Sequence, residues 1–374
     1  MRQPAHGGNL AWAAALAGCP PDAILDFSAS ISPLGPPNSA IAAIKSQIGN
    51  LKHYPDPNYS ELRLALSHFH QLPSEWILPG NGSAELLTLI GRELAQLAAT
   101  ILITPAFGDY YRTLAAYNAN VLECPLSLVL SEAVGAASVC DTLCERREVL
   151  VTGHWSLFLD KGQKTKDKGL LLNNPHNPTG KLFSRESILP YLEQFALVVV
   201  DEAFMDFVPP NEEQSLIPVV QEYANLVVLR SLTKFYSLPG LRLGYAIAHP
   251  DCLAKWQLWR DPWPVNTLAA AAAIAALQDT EFQQQTWAWL TTARNQLFQG
   301  LAEIPGLQPQ PSAANFLLVE SQESTSRLQQ QLLKYHQILI RDCLSFKELG
   351  DRFFRVAVRE ESDNQRLLTA LKES

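Results

Sequence analysis

Six short apolar runs through the middle of the chain restrict its fold more than any other feature. They occupy residues 101–104, 121–122, 170–172, 197–200, 226–229 and 245–248. Residues 83–97, just before the first run, and 110–117 and 185–195, between later ones, read as helices. Strands that are apolar throughout, rather than on alternate residues, must be buried on both faces, and the intervening helices supply the cover. The sequence therefore predicts an α/β fold, a mainly parallel sheet sandwiched by helices. Ser83 and Glu85 give the first of those helices a polar, acidic start, which suits a helix N-terminus.

Past Pro262 the pattern changes. Residues 269–277 are an alanine-rich helix and 281–301 a longer one; 316–319, 338–340 and 353–358 read as strands, with helices over 326–335 and 361–372. This predicts a smaller α+β C-terminal domain over 263–374, after a large domain over 38–262. Residues 1–37, rich in proline and glycine, are expected to form an arm packed on the small domain. A chain of 374 residues is long enough for such a division.

Net charge of −8 provides no field to attract a phosphate backbone, so no nucleic-acid partner is expected. No segment has the length or leader character for a membrane span or signal peptide, which predicts a cytoplasmic protein. The six cysteines lack a C-x-x-C pair and are read as reduced thiols; His68 and His70, two apart on a helix, diverge, so no metal is expected. The basic run Lys161–Lys168 reads as a solvated surface loop.

Chemistry concentrates at predicted strand ends. Ser231-Leu-Thr-Lys234 follows the run 226–229, and Arg242 stands eight residues on. A lysine between two hydroxyls and an arginine suits an aldehyde cofactor that also carries a phosphate: Lys234 would condense with the aldehyde, its proton loosened by burial and nearby cations. Asp201, ending the run 197–200, is placed to pair with a pyridinium nitrogen and keep it protonated. Asn177, in Asn174-Pro-His-Asn-Pro-Thr-Gly180, is placed to donate to the ring's phenolic oxygen. Gly82-Ser83-Ala84 open a helix whose free N–H groups would face the phosphate. Ligands of open α/β sheets lie beyond the carboxyl ends of strands, where all four fall.

In this order, with Thr104-Pro-Ala-Phe107 and Phe354-Arg-Val-Ala-Val358, these motifs resemble the fold-type I pyridoxal phosphate enzymes of the aspartate aminotransferase superfamily, over nearly the whole chain. The resemblance implies pyridoxal 5′-phosphate as cofactor, Phe107 stacked on its ring, and Ser231, Thr233 and Arg242 on its phosphate. It also implies that Arg355 binds a substrate α-carboxylate in a two-pronged contact. It implies a homodimer in which Tyr54 reaches the partner's cofactor phosphate.

Two subgroups are similar, the histidinol-phosphate aminotransferases and the threonine-phosphate decarboxylases of cobalamin biosynthesis. His6-Gly-Gly-Asn9, Asp26-Phe-Ser-Ala29, Ser32-Pro-Leu-Gly35 and Ile338-Leu-Ile-Arg-Asp-Cys343 resemble the second. Phe204 stands where the aminotransferases carry a tyrosine. That resemblance implies a lyase acting on L-threonine O-3-phosphate, with His6 and Ser32 near the substrate phosphate and Arg341 assisting Arg355. Ser30 and Ser32 replace the usual asparagines. An aminotransferase remains the alternative, and a non-catalytic cofactor-binding regulator a third reading.

Overall fold

The computed structural model describes residues 7–126 and 165–374. The arm holds β1 (Leu25–Asp26). The central sheet is made of β2 (Ile77–Asn81), β3 (Ala99–Thr104), β4 (Val121–Pro125), β5 (Lys168–Asn173), β6 (Leu197–Asp201), β7 (Leu226–Ser231) and β8 (Leu243–Ala248). Toward the C-terminus follow β9 (Leu307–Pro309), β10 (Phe316–Ser321), β11 (Ile338–Leu339), β12 (Arg341–Asp342) and β13 (Phe353–Ala357).

The seven central strands run in the order β2-β8-β7-β6-β5-β3-β4. Pairings from β7 to β4 are parallel, and β8 alone runs against both its neighbours. Alternate residues along one strand enter different cores. Leu170, Leu172, Val198, Val200 and Val228 face one cluster, Leu171, Val199, Val227 and Leu229 the other. Helices Gly82–Leu94, Gly108–Ala116 and Pro250–Gln257 cover the second face; Ser60–His70, Arg185–Gln194 and Thr267–Gln278 cover the first. Two-sided burial is why these strands carry no polar alternation.

Strand β2 was not legible: its Pro79-Gly-Asn81 looks like a turn, and a proline is tolerated there because β2 is the sheet's edge. Lys168 departs from the solvated-loop expectation. It is buried as the first residue of β5, after a short turn over Thr165–Asp167; 161–164 lie outside the described residues.

Strands β9, β10, β12 and β13 form an antiparallel sheet. The expected single strand 338–340 is divided at Ile340: β11 pairs with the arm's β1, β12 with β13. The helix expected over 326–335 is α-helical only from Thr325 to Gln331, then makes a π turn over Leu332–His336. The arm helix Leu10–Ala17 presses Ala13 and Ala14 onto Leu333 and Leu339. Helix Thr267–Gln278 packs against Asn38–Gln47 and Ser60–His70. Among the described cysteines, Cys19, Cys124, Cys252 and Cys343 form no disulfide; Cys140 and Cys144 lie outside the described residues. No helix among the described residues is long and apolar enough to cross a membrane.

Candidate active site

A cavity of about 240 Å³ opens beyond the carboxyl ends of β5, β6 and β7, where Asn173, Asp201 and Ser231 are the last strand residues. The arm (Ser28, Ala29, Ser30) and the second sheet (Arg341, Arg355, with Ser345 and Phe346 beyond β12) close it from the other side.

Lys234 lies on the turn after β7 and points into this cavity. Its backbone carbonyl accepts from Ser32 N at 3.0 Å, which ties the arm to the turn. Desolvation, then the positive charges of Arg355 and Arg242, bring its amine from 10.5 down to about 8, against the opposing pull of Asp201. A far larger fraction of it is therefore neutral near physiological pH than of an ordinary lysine, though the charged form still predominates, and the neutral fraction is what a nucleophile requires. Phe204 flanks the ammonium at 5.7 Å from ring centroid to Nζ.

Asp201 is buried at the end of β6. Its Oδ2 accepts from Tyr110 Oη at 2.8 Å and its Oδ1 from Ala203 N at 3.0 Å. Burial raises its pKa, while those two donors and Lys234 act in the opposite direction. Asn177 Oδ1 accepts from Arg355 Nη1, so the amide's NH₂ is the end left to donate into the cavity. Arg355 also lies over Phe316, with 4.7 Å to the ring centroid, and its Nη2 donates to Ser28 O at 3.4 Å. Burial lowers its pKa to about 10; Cys343 opposes this and Arg341 adds to it.

Helix Gly82–Leu94 starts with its N-terminus toward the pocket, and Ser83, Ala84, Ser231, Thr233 and Arg242 also line the wall. Gly82 has φ +72°, and a side chain there would put Cβ 2.6 Å from Arg242 Nη2. Gly244 of β8 serves the same approach, since a Cβ on it would sit 2.6 Å from Ser83 N. Glu85 Oε2 accepts from Asn81 N at 2.6 Å, reinforcing the helix start.

The sequence-predicted residues thus converge with three exceptions. Ser32 is buried outside the cavity lining, and it is Ser30 that lines it. Tyr54 lies on the surface, 78% exposed and stacked on Trp263 at 4.4 Å. His6 falls outside the described residues. Tyr110 was missed; its only signal was its place three residues past Phe107, one helical turn on, and spacing alone does not say which face turns inward.

Residues 22–371 match the family described as aminotransferase class I and II. The chain belongs to that family. It is 38% identical to the threonine-phosphate decarboxylase of Salmonella typhimurium, over 98% of this chain and 96% of that protein. It is 32% identical to a histidinol-phosphate aminotransferase of Symbiobacterium thermophilum, over 91% of this chain and 88% of that one. The structure of histidinol-phosphate aminotransferase from Sinorhizobium meliloti in complex with pyridoxal-5′-phosphate has the same fold, with TM-score 0.80, 23% identity, and coverage of 98% of this chain and 94% of that chain. The cofactor of this family member is pyridoxal 5′-phosphate. The donor set lining the cavity fits it: a buried carboxylate, an amine, two hydroxyls, a guanidinium and a helix N-terminus. Two buried polar atoms of the cavity wall, Arg355 Nε and Ser30 Oγ, have no partner among the described residues, as expected of a site built around a polar ligand.

Proposed function

We propose that this chain decarboxylates L-threonine O-3-phosphate to (R)-1-aminopropan-2-ol phosphate, for the nucleotide loop of cobalamin. The observation that carries the reading is the pairing of Arg341 with Arg355. They are register partners on β12 and β13, both buried, and both line the cavity. Two guanidiniums held side by side away from water favour a ligand with two anionic groups. A phosphorylated amino acid carries two such groups, a carboxylate and a phosphate. The 38% identity to a protein named threonine-phosphate decarboxylase supports the same substrate class.

In this reading Ser231, Thr233, Arg242 and the N–H groups of Ser83 and Ala84 behind Gly82 hold the cofactor phosphate. Phe107 covers a ring face, Asp201 meets the ring nitrogen and Asn177 the phenolic oxygen. When bound, the cofactor supplies an aldehyde that condenses with amines and a ring that withdraws electrons from the amine-bearing carbon. Arg355 grips the substrate carboxylate; Arg341, whose Nη2 donates to Ser345 Oγ at 2.8 Å, takes the substrate phosphate with the arm residues around Ser30. Anchored at both ends, the substrate cannot rotate about its Cα, and that orientation selects the bond that breaks. Lys234 Nζ delivers the proton that replaces the carboxylate on Cα. The enzyme is a cytoplasmic homodimer in which exposed Tyr54 completes the partner's site.

The test is incubation of the purified holoenzyme with threonine phosphate, following carbon dioxide and aminopropanol phosphate. Histidinol phosphate with 2-oxoglutarate is the competing assay. Glutamate formed without carbon dioxide from threonine phosphate would refute the decarboxylase reading in favour of the aminotransferase.

A further inference from the structure

We infer that Tyr110 is a positioning residue for the cofactor site, keeping Asp201 ionised and fixed in direction while bracing the ring-stacking Phe107. The inference rests on the reading that Asp201 meets the cofactor's ring nitrogen. Tyr110 is 1% exposed, and its Oη donates to Asp201 Oδ2 at 2.8 Å. The same ring stands edge-on to Phe107, centroids 5.7 Å apart at 87°. One side chain from helix Gly108–Ala116 therefore contacts both candidate cofactor residues, one through its hydroxyl and one through its ring.

The carboxylate needs such a partner. Asp201 ends a strand inside the protein, where burial favours the neutral acid, and a neutral acid cannot pair with a protonated ring nitrogen. Among the described residues, the groups acting on it are Tyr110 from the helix, the Ala203 N–H from its own loop, and Lys234 from the turn after β7. Asp109, next to Tyr110, also acts on the tyrosine. Burial and Asp201 hold the Tyr110 phenol far above its ordinary range, so it stays an O–H donor at every working pH. Each Asp201 oxygen accepts one bond within the protein and keeps acceptor capacity for the ring.

Tyr110→Phe removes the hydroxyl and keeps the ring against Phe107. A hydrogen bond to a charged group is worth enough to move Asp201 upward by about 1–2 pH units when it is lost. Two measurements read this. The first is pyridoxal phosphate affinity as a function of pH in wild type, Y110F, D201N and the double variant. The second is the infrared carbonyl band of a protonated carboxyl in the cofactor-free protein. The expected result is an acid limb of the affinity profile displaced upward by about 1–2 pH units in Y110F. The carboxyl band should appear at higher pH, be missing in D201N, and the double variant should behave as D201N does. A Y110F profile and band that coincide with wild type, while D201N differs, would overturn the inference alone and leave Tyr110 a packing residue. A D201N profile that coincides with wild type would overturn the reading of Asp201 itself, and the inference with it.

Discussion

Replacing Gly82 with alanine tests the phosphate cradle at its tightest point. The added methyl would lie 2.6 Å from Arg242 Nη2 and 3.2 Å from its Cζ. Those atoms end a flexible, solvent-reaching side chain, so the guanidinium swings away and the backbone stays. The cost to the fold is then mainly that of holding an L-residue at φ +72°, about 1–2 kcal/mol. The cost to binding is the displaced charged contact, about 1.5–3 kcal/mol, or about tenfold to 150-fold in affinity. Titrating the cofactor-free protein with pyridoxal phosphate and, separately, with pyridoxal distinguishes the two. Gly82→Ala should weaken pyridoxal phosphate by that factor and leave pyridoxal nearly unchanged, because only the phosphorylated ligand uses Arg242. Equal weakening of both ligands would mean that the substitution acts through the fold, and unchanged binding of both would remove Arg242 and Gly82 from the cradle.

Four other outcomes follow from buried charges. Lys234→Met should stabilise the cofactor-free protein near neutral pH: the lysine's folded value of about 8 lies below its ordinary 10.5, so its charged form is penalised in the fold. The gain should fade as pH rises from about 8 toward 10.5, and a gain constant with pH in urea denaturation would contradict this. Arg230 Nε lies 3.0 Å from Glu202, Nη1 2.5 Å from Asp206 and Nη2 2.5 Å from Glu213. Arg230→Met, which strands buried carboxylates, should cost about 3–5 kcal/mol, and a loss below about 1 kcal/mol would show that the cluster relaxes. Arg355→Lys keeps the charge but not the two-pronged geometry, so the substrate KM should rise about tenfold or more, while Arg341→Gln should weaken phosphorylated substrates more than unphosphorylated ones. Equal losses for threonine phosphate and threonine in Arg341→Gln would take Arg341 off the substrate phosphate.

The cavity-lining motifs were legible because each sits in a short local stretch at or near the end of an apolar run: Asp201 after 197–200, Lys234 after 226–229, Asn177 between prolines. Strand β2 was not, since Pro79-Gly-Asn81 carries turn chemistry that an edge strand tolerates. Nor was the break at Ile340, where Ile338 and Leu339 pair with the arm's β1 while the next strand residues, Arg341 and Asp342, pair with β13.

The sequence by itself determined the buried strands, their helical cover and the residues at strand ends, because burial on both faces and strand-terminal chemistry are written in consecutive residues. Tertiary structure decided what depends on long-range packing. It set Arg341 beside Arg355 through the register of β12 on β13, and turned Tyr110 toward Asp201, 91 residues away. It placed Ser30 rather than Ser32 on the cavity wall. Those choices are made by non-local pairing and by which face of a helix or arm meets the core, and local periodicity carries neither.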